Sequence, residues 1–330
     1  MAAIYPNVAV LIAAKNAQTT IKRAVRSALS QPQAAEVLVV DDGSDDCTAQ
    51  AAASCEDGTS RLRIIRQPNR GPAAARNTAI RLSRAPFLCV LDADDFFLPG
   101  RLTEIFDGLG EDWDLAADKL LLGQENAEDG PFERWRGDEA LPSLLDFAQF
   151  VEGNISRPER PRTELGYLKP LIRRAFLERH DLKFNEEIWL GEDYLLYAEA
   201  LARGARFRTA KTYGYVAISR PTSLSHQHPP ERLEALLRAD EALEALTLSV
   251  VERRALRLHQ ADLRRKWLYR LALDAKKRGH FTRAAALTMS RLDVFAYVFH
   301  ETLRSYAQRV QLNRLRTQER AAYKQPSPVI

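Results

Sequence analysis

Four times within the first hundred residues an apolar run stops at a short polar turn and gives way to a helical pattern. This alternation constrains the fold more than any other feature. Val8 to Ala14 and Val37 to Val40 are continuously apolar, Arg61 to Arg66 is a shorter extended stretch, and Phe87 to Leu91 closes the series. Continuous apolarity, in place of in–out alternation, belongs to strands covered on both faces. Between the runs lie segments with helical spacing. Ile21, Ala24, Val25, Ala28 and Leu29 follow a capping Thr19 or Thr20, an Ala-rich stretch follows Asp41-Asp42-Gly43-Ser44 with Ser44 as its cap, and Gly71-Pro72 opens a helix to about Arg84. Strand–helix–strand–helix predicts a parallel sheet with helices on both faces.

In such a sheet every strand ends on the same edge, where α/β proteins bind their ligands. The polar turns Ala13-Ala14-Lys15-Asn16, Asp41-Asp42-Gly43-Ser44, Asn69-Arg70-Gly71 with Arg76 and Asn77 beyond, and Asp92-Ala93-Asp94-Asp95 therefore converge on one crevice. The last places three carboxylates within four positions after a buried strand, where they repel and lose hydration. A divalent metal, alone or with a bound phosphate, is the usual compensation. A solvated turn is the plainer reading of the same residues. Neither a G-x-G-x-x-G nor a P-loop follows the first strand, so phosphates would be held by a metal on the Asp-x-Asp with help from Arg76.

Further along, the pattern predicts a helix from Pro99 to Leu109, a strand near Leu115 to Leu122, an amphipathic helix from Ile172 to Arg179, a helix opened by Gly191-Glu192-Asp193, and a strand from Arg206 to Ala217. Pro221 to Pro230 is rich in breakers, and residues 231–320 read as about three Leu/Ala/Arg-rich helices. Two regions follow, 1–225 (halves of about 1–110 and 111–225) and a helical 226–330. The net charge of +4 over 330 residues is uneven, with 18 Lys/Arg against 6 Asp/Glu in residues 251–330. That basic end suits a solvated helical face, nucleic acid or an anionic membrane. It has no recognised nucleic-acid motif and few aromatics among its arginines. The three cysteines, Cys47, Cys55 and Cys89, form no C-x-x-C pair, which argues against a disulfide framework or zinc site and fits a reducing cytosol. No apolar run reaches the roughly 18 residues of a membrane helix, and no signal sequence is expected, so a cytoplasmic location follows.

The order Val39-Val40-Asp41-Asp42-Gly43-Ser44, Asn69 and Gly71 through Ala75-Arg76-Asn77, Leu91-Asp92-Ala93-Asp94-Asp95 with Pro99, and Gly191-Glu192-Asp193 resembles the family 2 glycosyltransferases, over about Val8 to Ser225. Each motif is weak alone, and the four in order are specific. The nearest likeness is to bacterial exopolysaccharide glucosyltransferases of the succinoglycan type. The resemblance implies a GT-A fold, Rossmann-like and mostly parallel, followed by the C-terminal helices. It implies a UDP-sugar donor, such as UDP-glucose, an Mn2+ or Mg2+ ion, and inverting transfer to a saccharide or lipid-linked oligosaccharide for a surface polysaccharide.

It also implies roles. Ala13 and Ala14 would line the nucleoside by backbone, with Asn16 beside them; this chain has Ala-Ala-Lys-Asn where the family has Pro-x-Tyr-Asn, so an aromatic contact is lost. Asp41 or Asp42 would bond the uracil or ribose, with Asn69 and Gly71 near. Arg76 would meet the uracil or diphosphate, its plain alternative being a surface helix arginine. Asp92, Ala93 and Asp94 would face the donor. Asp94 would hold the metal, with Asp92 and Asp95 as further ligands and His226 as a candidate one. Asp193, or its neighbour Glu192, would be the general base; an acidic pair at a helix N-terminus is the alternative. Trp189 would stack on the acceptor or pack in the core. A nucleotidyltransferase is the alternative enzyme, disfavoured because the first turn lacks glycine, and a nucleic-acid-binding protein is the non-enzymatic one. The stripe Leu292, Phe295, Ala296, Val298, Phe299 and Leu303 would meet an anionic membrane at its inner face, a second subunit or the catalytic domain.

Overall fold

The computed structural model describes residues 6–110, 112–124, 130–135, 137, 141–155, 164–219 and 229–303. The elements follow in the order β1 (Val8–Ala14), α1 (Ile21–Leu29), β2 (Ala34–Asp42), α2 (Thr48–Ala53), β3 (Leu62–Gln67), α3 (Pro72–Leu82), β4 (Phe87–Val90), β5 (Phe96–Phe97), α4 (Arg101–Leu109) and β6 (Leu115–Gln124). Then come β7 (Glu133–Arg134), β8 (Leu144–Leu145), α5 (Phe147–Glu152), β9 (Leu171–Arg173), α6 (Arg174–Arg179), α7 (Glu192–Ala202), β10 (Phe207–Ser219), α8 (Pro230–Ala242), α9 (Val250–Lys277) and α10 (Phe281–Met289). Among the described residues ten strands form one sheet, eight of them in the order β3-β2-β1-β4-β9-β6-β10-β5, with β7 paired to β6 and β8 to β10 off this path. The first four pair in parallel, as the buried runs predict.

In the far half of the sheet β6 and β10 fall where the pattern predicts them, and one segment departs from the expectation. Leu171-Ile172-Arg173 is a strand, β9, and not the first turn of a helix; it pairs antiparallel with both β4 and β6. Its apolar residues share helical spacing with Phe176 and Leu177, so periodicity alone misassigned it. Ser44 does not cap α2, whose N-cap is Cys47. Ser44 instead donates its backbone N–H to Asp41 and accepts from the Asn16 N–H, tying the first two turns together.

The core lies against both faces of the sheet. Trp113 is fully buried between Phe87 and Phe106. One buried polar group sets the site. Arg101, at the start of α4, pairs with Asp118 of β6 at 2.7 Å and donates to the Lys169 carbonyl at 2.6 Å. Asp118 also accepts the Gly214 N–H, and a Cβ at Gly214 would lie 2.4 Å from Arg101 Cγ.

The chain divides into two compact units, with the division between Asp262 and Leu263, inside α9. Thus α8 and the first half of α9, grouped by composition with the C-terminal helices, belong to the first unit. In the second unit Tyr269 meets Tyr297 edge-on at 5.6 Å and Val294 is buried, while Leu292, Phe295, Phe299 and Leu303 are exposed. Among the described residues no helix is long and apolar enough to cross a membrane.

Candidate functional site

The turns expected to converge do so at the C-terminal edge of β1, β2 and β4. Asn16 stands at φ 50° and accepts the Asp45 N–H. Asp41 and Asp42 are buried, and their carboxylates serve the edge itself. Asp41 accepts from the Ser44 N–H and from Arg66 Nε at 3.0 Å. Asp42 accepts from Gln67 Nε2 and from the backbone N–H groups of Arg70 and Gly71, at 2.8–2.9 Å. It thereby holds the loop that carries exposed Asn69. At Gly71, φ is 93° and a Cβ would lie 2.9 Å from the Trp189 ring, so this loop and Trp189 approach as only glycine allows.

The three carboxylates after β4 have different environments. Asp92 receives Arg76 Nη2 on Oδ1 at 2.7 Å and Lys169 Nζ on Oδ2 at 2.9 Å. Burial would raise its pKa, but Lys169 and then Arg76 hold it well below the usual carboxylate range. Asp95 accepts from the Tyr215 hydroxyl at 2.7 Å and from the Ile218 N–H at 2.8 Å. Burial, then the charges of Asp94 and Asp92, push its pKa well up. Asp94 is half-buried at the mouth, and its carbonyl faces Arg23.

Arg76 is not a surface arginine. It is buried on α3 and reaches across to the first turn of α7, donating through Nη1 to Glu192 at 2.7 Å and Asp193 at 3.0 Å. Lys169 Nζ completes a ring by donating to the second Asp193 oxygen at 2.5 Å. Asp92 and Asp193 are thus joined twice, once through each cation. Burial disfavours charge on Arg76 and Lys169, but Asp193 and Asp92 outweigh it and hold both pKa values well above the ordinary ones. Glu192 and Asp193 are more than an N-terminal acidic pair, because the ring carries them to the strand edge.

Sequence reasoning missed Lys169. Its signal was a lone charge inside the apolar run Leu168 to Ile172. The antiparallel register Cys89↔Leu171 brings it beside the end of β4, and Arg101 anchors its carbonyl. It also missed Tyr197, whose buried hydroxyl has no hydrogen-bond partner among the described groups, and Tyr215. Trp189 is partly exposed at the rim, 5.6 Å from the Arg232 guanidinium. His226 lies outside the described residues.

The sequence model of the family described as Glycosyl transferase family 2 matches residues 9–174. This chain belongs to glycosyl transferase family 2. Family membership decides for glycosyl transfer over nucleotidyl transfer. The glycosyltransferase is 47% identical over 288 residues to the succinoglycan biosynthesis protein ExoU of Rhizobium meliloti (strain 1021), covering 86% of this chain and 83% of that protein. Among solved structures it resembles the mannosyltransferase PcManGT of Pyrobaculum calidifontis in complex with GDP-Man and Mn2+, with TM-score 0.59 and 18% identity over 92% of this chain and 81% of the other. It also resembles S. aureus TarS 1–349 in complex with UDP-GlcNAc, with TM-score 0.58 and 19% identity over 87% and 77% of the two chains. At such identities the likeness establishes the GT-A fold.

The residues of this glycosyltransferase fit a metal in one way and not in another. Asp92, Asp94 and Asp95 do not form a joint ligand set; no group of three His, Cys, Asp or Glu side chains among the described residues does. Both Asp92 oxygens face cations, and both Asp95 oxygens accept hydrogen bonds within the protein. Mg2+-like ions often take one or two carboxylates and complete their shell with substrate phosphate and water, so a metal held through Asp94 would need no joint set of three.

Proposed function

We propose that this glycosyltransferase transfers a sugar from a UDP-sugar, with UDP-glucose the first donor to test, onto a saccharide acceptor carried on a lipid, with inversion, in exopolysaccharide assembly of the succinoglycan kind. The observation that carries this reading is the ring joining Asp92, at the donor edge, to Asp193, at the start of α7. The nucleoside lies along Ala13, Ala14 and Asn16 and the loop Asn69 to Gly71 that Asp42 holds, with Asp41 at the same edge. The diphosphate lies toward Ala93 and Asp94. Asp94 would hold an Mn2+ or Mg2+ ion, and the chemistry such an ion would supply is neutralisation of charge on the leaving diphosphate.

Asp193 exchanges one of its cation contacts for the acceptor hydroxyl and takes its proton. The acceptor oxygen forms a bond to C1 of the sugar as the C1–phosphate oxygen bond breaks, and the electron pair leaves with UDP. One base without a protein nucleophile gives a single inverting displacement. Arg76 and Lys169, fixed against Asp92, present positive charge where the leaving group becomes more negative. Trp189, at the rim beside the Glu192–Asp193 pair, offers a face for the acceptor ring. In the second unit the exposed Leu292, Phe295, Phe299 and Leu303, with nearby Lys and Arg, support peripheral contact with an anionic bilayer. Salt-sensitive binding to phosphatidylglycerol liposomes tests that contact, and no binding at low salt refutes it.

The main test screens UDP-, GDP- and dTDP-sugars with Mn2+ for thermal stabilisation and nucleotide release. UDP-sugars should stabilise the protein, and a preference for GDP-sugars overturns the donor assignment. Asp193→Asn should keep donor binding and lose about 10²- to 10⁴-fold in transfer. Near-normal turnover of that variant moves the base to Glu192.

A further inference from the structure

We propose that α8 and the start of α9 brace the Glu192–Asp193 segment, and that Tyr194, Asp240 and His259 are positioning residues for proton transfer there. The inference rests on the reading of Asp193 as base. Arg232, Leu236 and Asp240 stand four residues apart and so share one face of α8. That face meets the approach to α7 point by point. The Arg232 guanidinium lies 5.6 Å from the Trp189 ring, Leu236 lies 3.0 Å from where a Cβ of Gly191 would stand, and Asp240 Oδ1 accepts from the Tyr194 hydroxyl at 2.5 Å. From α9, His259 Nδ1 lies 3.1 Å from Asp240 Oδ2 and 3.0 Å from the Tyr194 oxygen, and its ring is 4.5 Å from that of Tyr194. On Tyr194's other contact, Phe150 of α5 stacks at 5.7 Å.

Tyr194, Asp240 and His259 are 4%, 0% and 3% exposed. A buried polar triad is a costly way to fill space, since apolar side chains of similar volume pack at least as stably. What it adds is direction, because each hydrogen bond fixes an atom. Burial and the Asp240 charge push the Tyr194 phenol well up, so it stays a donor. Tyr194 follows Asp193 directly, so fixing its ring fixes the rotation of the first turn of α7. Arg76 and Lys169 hold the carboxylates; the triad holds the backbone that carries them.

The test uses the full chain as wild type, Tyr194→Phe, Asp240→Asn and His259→Gln. UDP release from UDP-glucose with Mn2+ is measured per UDP-binding site, counted by calorimetry, together with backbone amide exchange. The brace predicts turnover lower by about 10- to 100-fold, since a misplacement near 1 Å costs about that much, with UDP affinity within about twofold. It predicts faster exchange at residues 190–196 and unchanged exchange in β1 to β4. Where only packing is at stake, variants lose folded protein but each binding site turns over normally. Unchanged turnover per site, or unchanged exchange at 190–196, overturns the proposal. Tyr194→Phe keeps its aromatic contacts and carries the test if Asp240→Asn fails to fold. Asp193→Asn in parallel separates the two readings: an active Asp193→Asn refutes the base assignment, while the exchange data still judge the brace. If UDP-glucose is not hydrolysed by the wild type, exchange alone decides.

Discussion

Lys169→Met removes the ammonium that bridges Asp92 and Asp193 and leaves a side chain of similar length. The ring then holds Asp92, Glu192 and Asp193 against Arg76 alone, with one more uncompensated negative charge. Breaking a buried pair by deleting one partner costs about 3–5 kcal/mol. Both carboxylates keep an Arg76 contact and the Asp92 side chain is 31% exposed, so the lower end, about 3 kcal/mol, is expected. The pH dependence follows from the shifts. Asp92 is depressed in the fold, so its contribution is present above its ordinary value of 3.8 and is lost as pH falls toward the depressed one. Lys169 is raised, so its share is complete below its ordinary value of 10.5 and is lost only as pH rises through the folded value. Urea unfolding followed by circular dichroism should therefore show the variant less stable at pH 7, with the gap to wild type narrowing below pH 3.8. Equal stability at pH 7, or a gap that widens on acidification, refutes the reasoning.

Asp94→Asn should lower UDP affinity in Mn2+ to the level measured in EDTA, and a native protein that binds UDP equally with and without Mn2+ removes the metal role. Gly71→Ala forces a side chain into φ 93° and against Trp189, at a cost of about 1–3 kcal/mol; an unshifted urea midpoint would count against the loop geometry. Gly214→Ala overpacks the Arg101–Asp118 pair by about 1–3 kcal/mol and, through the Lys169 carbonyl, should lower turnover more than UDP affinity. Equal loss of both would place the effect in folding alone.

The first half of the sheet was legible because its signals are local. β1, β2 and β4 are runs buried on both faces, and each ends in a turn whose residues announce the edge. The helix at Glu192 was legible for the same reason, since Gly191 and two acids mark its first turn. The strand β9 was not, because three residues carry too little periodicity to oppose the helical spacing that follows them. The two-residue strands β5, β7 and β8 have no pattern of their own and exist only as partners of longer strands.

At the site, the amino-acid sequence by itself determined which charged groups stand at the strand ends, and so that a charged crevice would form there. It did not determine what each group does. Asp92, Asp94 and Asp95 look alike in the chain, yet Asp92 sits between two cations while Asp95 is bound to a tyrosine hydroxyl 120 residues away. Arg76 finds Asp193 across 117 residues, and Lys169 reaches the ring through its register with β4 and the hold of buried Arg101. Electrostatic energy depends on distance in space and on exclusion of water. Sequence spacing controls neither beyond a turn or two, so the tertiary structure alone sorted these carboxylates into different environments.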